Sequence, residues 1–181
     1  MKKTILTIVA VSAIAFSAFS QKLVTTKSNI NFFSHTTAED IKANNTKAVG
    51  TLNTETGDVV FSVPMQAFEF EKALMQKHYN SPKFLDTKQF PKAKLTGTIT
   101  NLSAVNFKKD GTYAVTVKGE MEMHGVTKPI EEKATITVKG GVVSVNSKFN
   151  IALADYKIAF EKGKPSTNIA KTIETTVDAT F

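Results

Sequence analysis

Between Tyr113 and His124 apolar and polar side chains alternate without a break: Tyr113, Val115, Val117, Gly119, Met121 and Met123 share one parity, and Ala114, Thr116, Lys118, Glu120, Glu122 and His124 the other. A period of two predicts a strand with one buried and one wet face. His124-Gly125 interrupts the run. Val126, Ile130, Ala134, Ile136 and Val138 then oppose Thr127, Glu131, Lys133, Thr135, Thr137 and Lys139, so the two runs read as an antiparallel hairpin. Gly140-Gly141 offers the positive φ angles of a second tight turn, followed by Val143, Val145, Ser147, Phe149 and Ile151 on one parity. Upstream, Ala93, Leu95, Gly97 and Ile99 oppose Lys94, Thr96, Thr98 and Thr100, with an Asp110-Gly111 turn before the Tyr113 strand.

The N-terminal half repeats the pattern more weakly. Ile30, Phe32 and Ser34 share a parity, residues 49–54 lead into a Thr56-Gly57-Asp58 turn, and Val59, Phe61, Val63 and Met65 follow, with Pro64 marking a strand end. The chain closes on Ile169, Ile173, Val177, Ala179 and Phe181. One stretch, Phe68 to Tyr79, has helical spacing: Phe68, Met75 and Tyr79 fall on one face, with Phe70, Ala73, Leu74 and Lys77 beside it. About eight antiparallel strands and one helix predict an all-β fold. The helix favours a closed, lipocalin-like barrel over a sandwich, and closure removes exposed sheet edges.

Lys2 and Lys3, the apolar run from Ile5 to Phe16, and Ala18-Phe19-Ser20 have the form of a secretory signal peptide over residues 1–20, with cleavage before Gln21. The run is too short to span a bilayer, which takes about 20 residues. Residues 21–181 then form one domain, free in the periplasm or outside the cell. Without cysteine the chain can form neither a disulfide nor a lipoprotein anchor, so its core carries the fold alone. The net charge of +7, less Lys2 and Lys3, leaves a modest +5, and no arginine contributes to it. Guanidinium is the group that pairs bidentately with phosphate and guanine, so nucleic acid is not an expected partner.

Three stretches carry a resemblance to the YceI-like family of secreted lipid-binding proteins. They are Lys77-His78-Tyr79-Asn80 through Phe84-Leu85-Asp86 to Phe90-Pro91-Lys92-Ala93; Gly119 to Ile130 with His124-Gly125-Val126-Thr127-Lys128-Pro129; and Phe149-Asn150-Ile151 to Asp155-Tyr156. The resemblance implies a lipocalin-like antiparallel barrel with a helix near its opening, and an elongated apolar pore for a polyisoprenoid or similar long-chain lipid. Ala38 to Lys47, rich in polar and charged residues, reads as a loop at the barrel mouth.

The candidate pore lining is Phe61, Val63, Met65, Ile99, Val117, Met121, Met123, Phe149 and Ile151 from the strands, with Phe70, Leu74 and Met75 from the helix. Flexible, polarisable methionine suits a pocket that adapts to a hydrocarbon. Gly97 and Gly119, on the same parity, read as gaps for a ligand or the helix. His78 and Tyr79 mark the polar end of the pocket. No cofactor or metal is expected, because His35, His78 and His124 lie far apart and His124 suits a tight turn.

No Gly-x-Ser-x-Gly elbow, cysteine nucleophile or convergent Ser-His-Asp set is present, and Glu120, Glu122, Glu131 and Glu174 sit on outward parity, so the chain reads as a non-enzymatic binding protein. Two rivals predict different observations. A barrel with a filled core, acting through a protein or membrane-surface partner, predicts no interior space; a pigment or metal site at His78 and Met75 predicts absorbance or bound metal. Oligomeric state is open, a homodimer included.

Overall fold

The computed structural model describes residues 22–158, 160–161, 164–165 and 168–181, so the expected signal segment 1–20 and its expected cleavage point lie outside the described residues. Strands β1 (Lys22–Val24), β2 (Lys27–His35), β3 (Asp40–Asn45), β4 (Val49–Asn53), β5 (Asp58–Pro64) and β6 (Glu69–Phe70) precede helix α1 (Ala73–Asn80). After it come β7 (Lys92–Ile99), β8 (Gly111–Met123), β9 (Val126–Lys139), β10 (Val142–Ala152), β11 (Phe160–Glu161), β12 (Lys164–Pro165) and β13 (Thr172–Thr180). Among the described residues, β11 and β12 pair only with each other, and the rest form one antiparallel sheet of 11 strands in the order β1-β4-β5-β7-β8-β9-β10-β13-β2-β3-β6.

The meander β7 to β10 follows the alternation of the sequence. Between β8 and β9, His124 at φ 52° and Gly125 at φ 71° make the tight turn. Its histidine is held by a 2.9 Å bond between Nδ1 and the Tyr156 carbonyl oxygen and packs edge-on to Phe90. Two buried clusters occupy opposite ends of the β8–β9 hairpin. Met121, Met123, Ile151 and Tyr79 belong to the one near the His124-Gly125 turn, and Val115, Ile136, Val138 and Val143 to the one near Gly140-Gly141.

The sheet curls until β2 and β3 face β4 and β5, and side chains bridge the approach. Asn45, fully buried, donates from Nδ2 to the Pro64 carbonyl at 2.9 Å and accepts the Lys47 N–H on Oδ1 at 2.9 Å. Ser28 Oγ donates to the Ala48 carbonyl at 2.6 Å.

A second irregularity lies between β9 and β10. Their ladder stops at the Ser147–Ala134 pair. Beyond it β9 runs on to Val126 paired with β8, and β10 runs on to Ala152 paired with β13, so the two strands fork.

Three expectations change. The sheet has 11 strands rather than about eight, because β1, β3 and β6 are too short or too polar to show a period. The expected mouth loop Ala38 to Lys47 is largely β3: Ala43 and Asn45 point inward, and a polar side chain at a core position hides the alternation. The helix begins at Ala73, not Phe68. Glu69 and Phe70 pair with β3 instead, and the Phe68 carbonyl accepts a hydrogen bond from Gln76 Nε2 at 3.0 Å. Ser81 ends the helix by donating N–H and Oγ–H to the His78 carbonyl, and Pro82 cannot continue it.

Candidate functional site

Inward-pointing residues of the curled sheet enclose a cavity of about 550 Å³ between the sheet and α1. Of the residues expected to line it, Phe61, Val63, Met65, Phe70, Met75, Ile99, Val117, Met121, Met123, Phe149 and Ile151 border the space, as do His78 and Tyr79. Leu74 is a correction: it is 63% exposed and does not border the cavity. With α1 starting at Ala73, the i, i+3, i+4 face that meets the cavity is Met75, His78 and Tyr79, and Leu74 points about 100° away.

Gly97 and Gly119 are a second correction. They face each other across the β7–β8 ladder, and a Cβ on Gly119 would sit 2.1 Å from the Thr96 carbonyl oxygen and 2.4 Å from Gly97 Cα. Their lack of a side chain admits the neighbouring backbone, and neither borders the cavity. Gly50 has a different reason: the Phe61 ring lies over it, where a Cβ would meet Cε1 at 2.5 Å.

The α1 end of the cavity is aromatic. The Tyr79 ring stands 4.9 Å from Phe70, 5.8 Å from Phe68 and 6.0 Å from Phe32, centroid to centroid. Its hydroxyl is buried with no partner, and burial pushes its pKa well above the usual tyrosine value. The Pro82–Pro91 loop beside it is pinned by Thr87, fully buried, whose Oγ1 donates to Asn80 Oδ1 at 2.7 Å and whose carbonyl accepts from Gln66 Nε2 at 3.2 Å.

Two polar residues in the wall escaped the sequence reading. Glu132 borders the cavity between Ile130 and Ala134, and burial raises its carboxyl above the ordinary carboxylate range. Thr175, between Ile173 and Val177, is 6% exposed, and its Oγ1 is buried without a partner. Parity alone could have found both, since each shares the phase of its apolar neighbours; the run of Glu131, Glu132 and Lys133 made the acid look like part of a wet surface. Phe32 and Phe68 were likewise legible as aromatic residues near the helix.

Among the described residues no group of three or more His, Cys, Asp or Glu side chains could hold a metal ion, and no helix is long and apolar enough to cross a membrane. His35 instead meets Asp40 through a 2.5 Å contact on the exposed β2–β3 hairpin.

What the cavity can do follows from its size and lining. Left empty, an apolar space of this size deprives its lining side chains of the packing contacts a filled core would give them. Filling it with hydrocarbon returns about 0.8 kcal/mol for each methylene withdrawn from water. Its volume falls within the ~300–1,000 Å³ of small-molecule pockets.

Comparison with known proteins bears on the same region. A family model described as a YceI-like domain matches residues 21–181. Among curated proteins, UPF0312 proteins of Pseudomonas putida strain GB-1 and of Pseudomonas savastanoi pv. phaseolicola are 41% and 39% identical over 64 residues, 35% of this chain. The match spans only 30% of the length of each of these relatives. Among solved structures, a polyisoprenoid binding domain from Saccharophagus degradans implicated in plant cell wall breakdown superposes with a TM-score of 0.74 at 14% identity, covering 88% of this chain and 97% of that one. Burkholderia cenocepacia BcnA superposes with a TM-score of 0.70 at 11% identity, covering 85% and 96%. At such identities the likeness is one of fold: a lipocalin-like barrel.

Proposed function

We propose, from the premise that this chain belongs to the YceI-like domain family, that it is an exported, non-enzymatic container for an isoprenoid or other long-chain lipid. The observation that carries the reading is the cavity: about 550 Å³ of apolar space preserved inside a small domain, lined beside α1 by an aromatic cluster. A long chain fills it by burial alone, without an ion pair. The lining set proposed for ligand contact is Phe61, Val63, Met65, Phe70, Met75, Ile99, Val117, Met121, Met123, Phe149 and Ile151, with His78 and Tyr79 at the helix end. The polyisoprenoid binding named for the Saccharophagus domain supports the ligand class. The signal-like segment 1–20 supports a periplasmic or secreted location, beside a membrane from which an insoluble chain has to be carried through water.

The test is extraction of the purified, processed protein with organic solvent and mass spectrometry of the extract. A stoichiometric lipid is the expected result. An empty extract, with no thermal stabilisation by added isoprenoid, would remove the reading and leave a domain that acts through a protein or membrane-surface partner.

A further inference from the structure

The polar atoms of the cavity wall carry the question one step further. Phe149 and Thr175 are ladder partners on β10 and β13, and both face the cavity. Across the fork from Phe149 stands Glu132, the next inward position of β9 after Ala134, the last residue laddered to β10. Two groups able to hydrogen-bond therefore flank one aromatic ring where the barrel wall opens.

Neither is satisfied by the protein. Thr175 Oγ1 is buried without a partner, and Glu132 takes part in no ion pair or hydrogen bond among the described residues. The nearby outer-face lysines pair elsewhere, Lys118 with Glu131 at 3.4 Å and Lys148 with Glu174 at 2.8 Å. Lys83, at the rim beside α1, is itself engaged. Thr175 Oγ1, buried without a partner, costs free energy until something pairs with it, and Glu132, half-buried in the same wall, offers its carboxylate to the cavity, where a ligand can meet both.

We propose that Glu132 and Thr175 form a hydrogen-bonding seat beside the fork between β9 and β10, which selects a long-chain lipid bearing an uncharged hydroxyl over one bearing a phosphate. The inference rests on the lipid-container reading above. A hydroxyl donates to the Glu132 carboxylate and accepts the Thr175 Oγ1–H, so both orphan groups are paired by one oxygen function. A phosphate brings like charge to the carboxylate, and the described lysines that border the cavity stand elsewhere, Lys83 just past α1 and Lys94 toward the start of β7, while Glu132 ladders to Val117 and through it to Ile99 at the end of β7. Partial burial, which raises the Glu132 carboxyl above its ordinary value, fits the same placement.

The experiment is native mass spectrometry of the processed protein titrated with geranylgeraniol, geranylgeranyl monophosphate and the hydrocarbon phytane. Wild type is expected to bind the alcohol at least about tenfold more tightly than the phosphate, a preference of roughly 1.4 kcal/mol. Glu132→Gln, with circular dichroism confirming the fold, should cut that ratio to about threefold or less by admitting the phosphate. Thr175→Val should weaken the alcohol about two- to tenfold, the worth of one hydrogen bond, and leave phytane unchanged. A phosphate bound as tightly as the alcohol by wild type, or a ratio that Glu132→Gln leaves unmoved, would overturn the seat while phytane binding keeps the container reading intact. Failure of all three to bind would overturn both. Wild type and Thr175→Val decide the matter even if Glu132→Gln does not fold.

Discussion

Asn44 and Asn45 are adjacent, chemically identical, and opposite in their consequences. Asn45 is wholly buried where β3 approaches the end of β5, and its side-chain amide satisfies the Pro64 carbonyl and the Lys47 N–H. Replacing it with alanine strands both backbone groups, at about 1–3 kcal/mol each, and opens a small void; a total near 3 kcal/mol is expected. That is a large share of the ~5–15 kcal/mol that holds a domain together. Asn44 Oδ1 is buried with no partner, so Asn44→Ala removes a liability and should leave stability within about 0.5 kcal/mol of wild type, or slightly raise it. Urea denaturation followed by far-UV circular dichroism reads both, and the chain has no tryptophan to complicate a tyrosine signal. Asn45→Ala should lower the midpoint with an unchanged slope and bring the melting temperature down by roughly 6–12 °C. A loss under about 1 kcal/mol, or an equal loss in Asn44→Ala, would refute the idea that this side chain clasps the barrel shut.

Other outcomes follow from the same geometry. Gly119→Ala drives a Cβ into the Thr96 carbonyl and should cost about 3 kcal/mol or more, whereas Gly140→Ala, with open space around its Cβ, should lose only what its positive φ demands; thermal melts compare them. Leu74→Ser should leave both stability and lipid content unchanged, while Met75→Ser lowers lipid retention in extracts. Glu132→Gln should raise the melting temperature at neutral pH. A carboxyl whose folded pKa is raised contributes stability below its unfolded pKa and loses it as pH climbs, so the advantage should vanish below about pH 4. Tyr79 follows the same sign at the other end of the scale. Because folding holds its phenol protonated, stability should fall as the unfolded chain ionises above about pH 10, and Tyr79→Phe should flatten that fall in alkaline denaturation.

How much of this was legible in the sequence depends on whether the deciding interaction is local. β7 to β10 could be read because each has one apolar face, tight turns and a partner adjacent in the chain. β3 could not, since Asn45 fills a core position with a polar side chain whose partner, Pro64, lies 19 residues away. The sequence pattern starts the helix five residues too early because Phe68 keeps helical spacing from Tyr79 while meeting it from extended backbone. The strand lining of the pocket follows from parity, and so should Glu132 and Thr175, but a charge flanked by charges reads as surface. Gly97 and Gly119 show the reverse: their phase points inward, while the space they leave is taken by the neighbouring strand.

The pairing of β2 with β13 sets a schedule as well as a shape. On one side, residues 27–33 ladder with residues 174–180, so that side of β2 has no sheet neighbour until the C-terminal strand arrives. Contacts so distant along the chain form slowly, and only after the intervening meander has brought the ends together. For the exported container proposed above, that delay would be useful: a wall that closes late stays open until the whole chain has crossed the membrane.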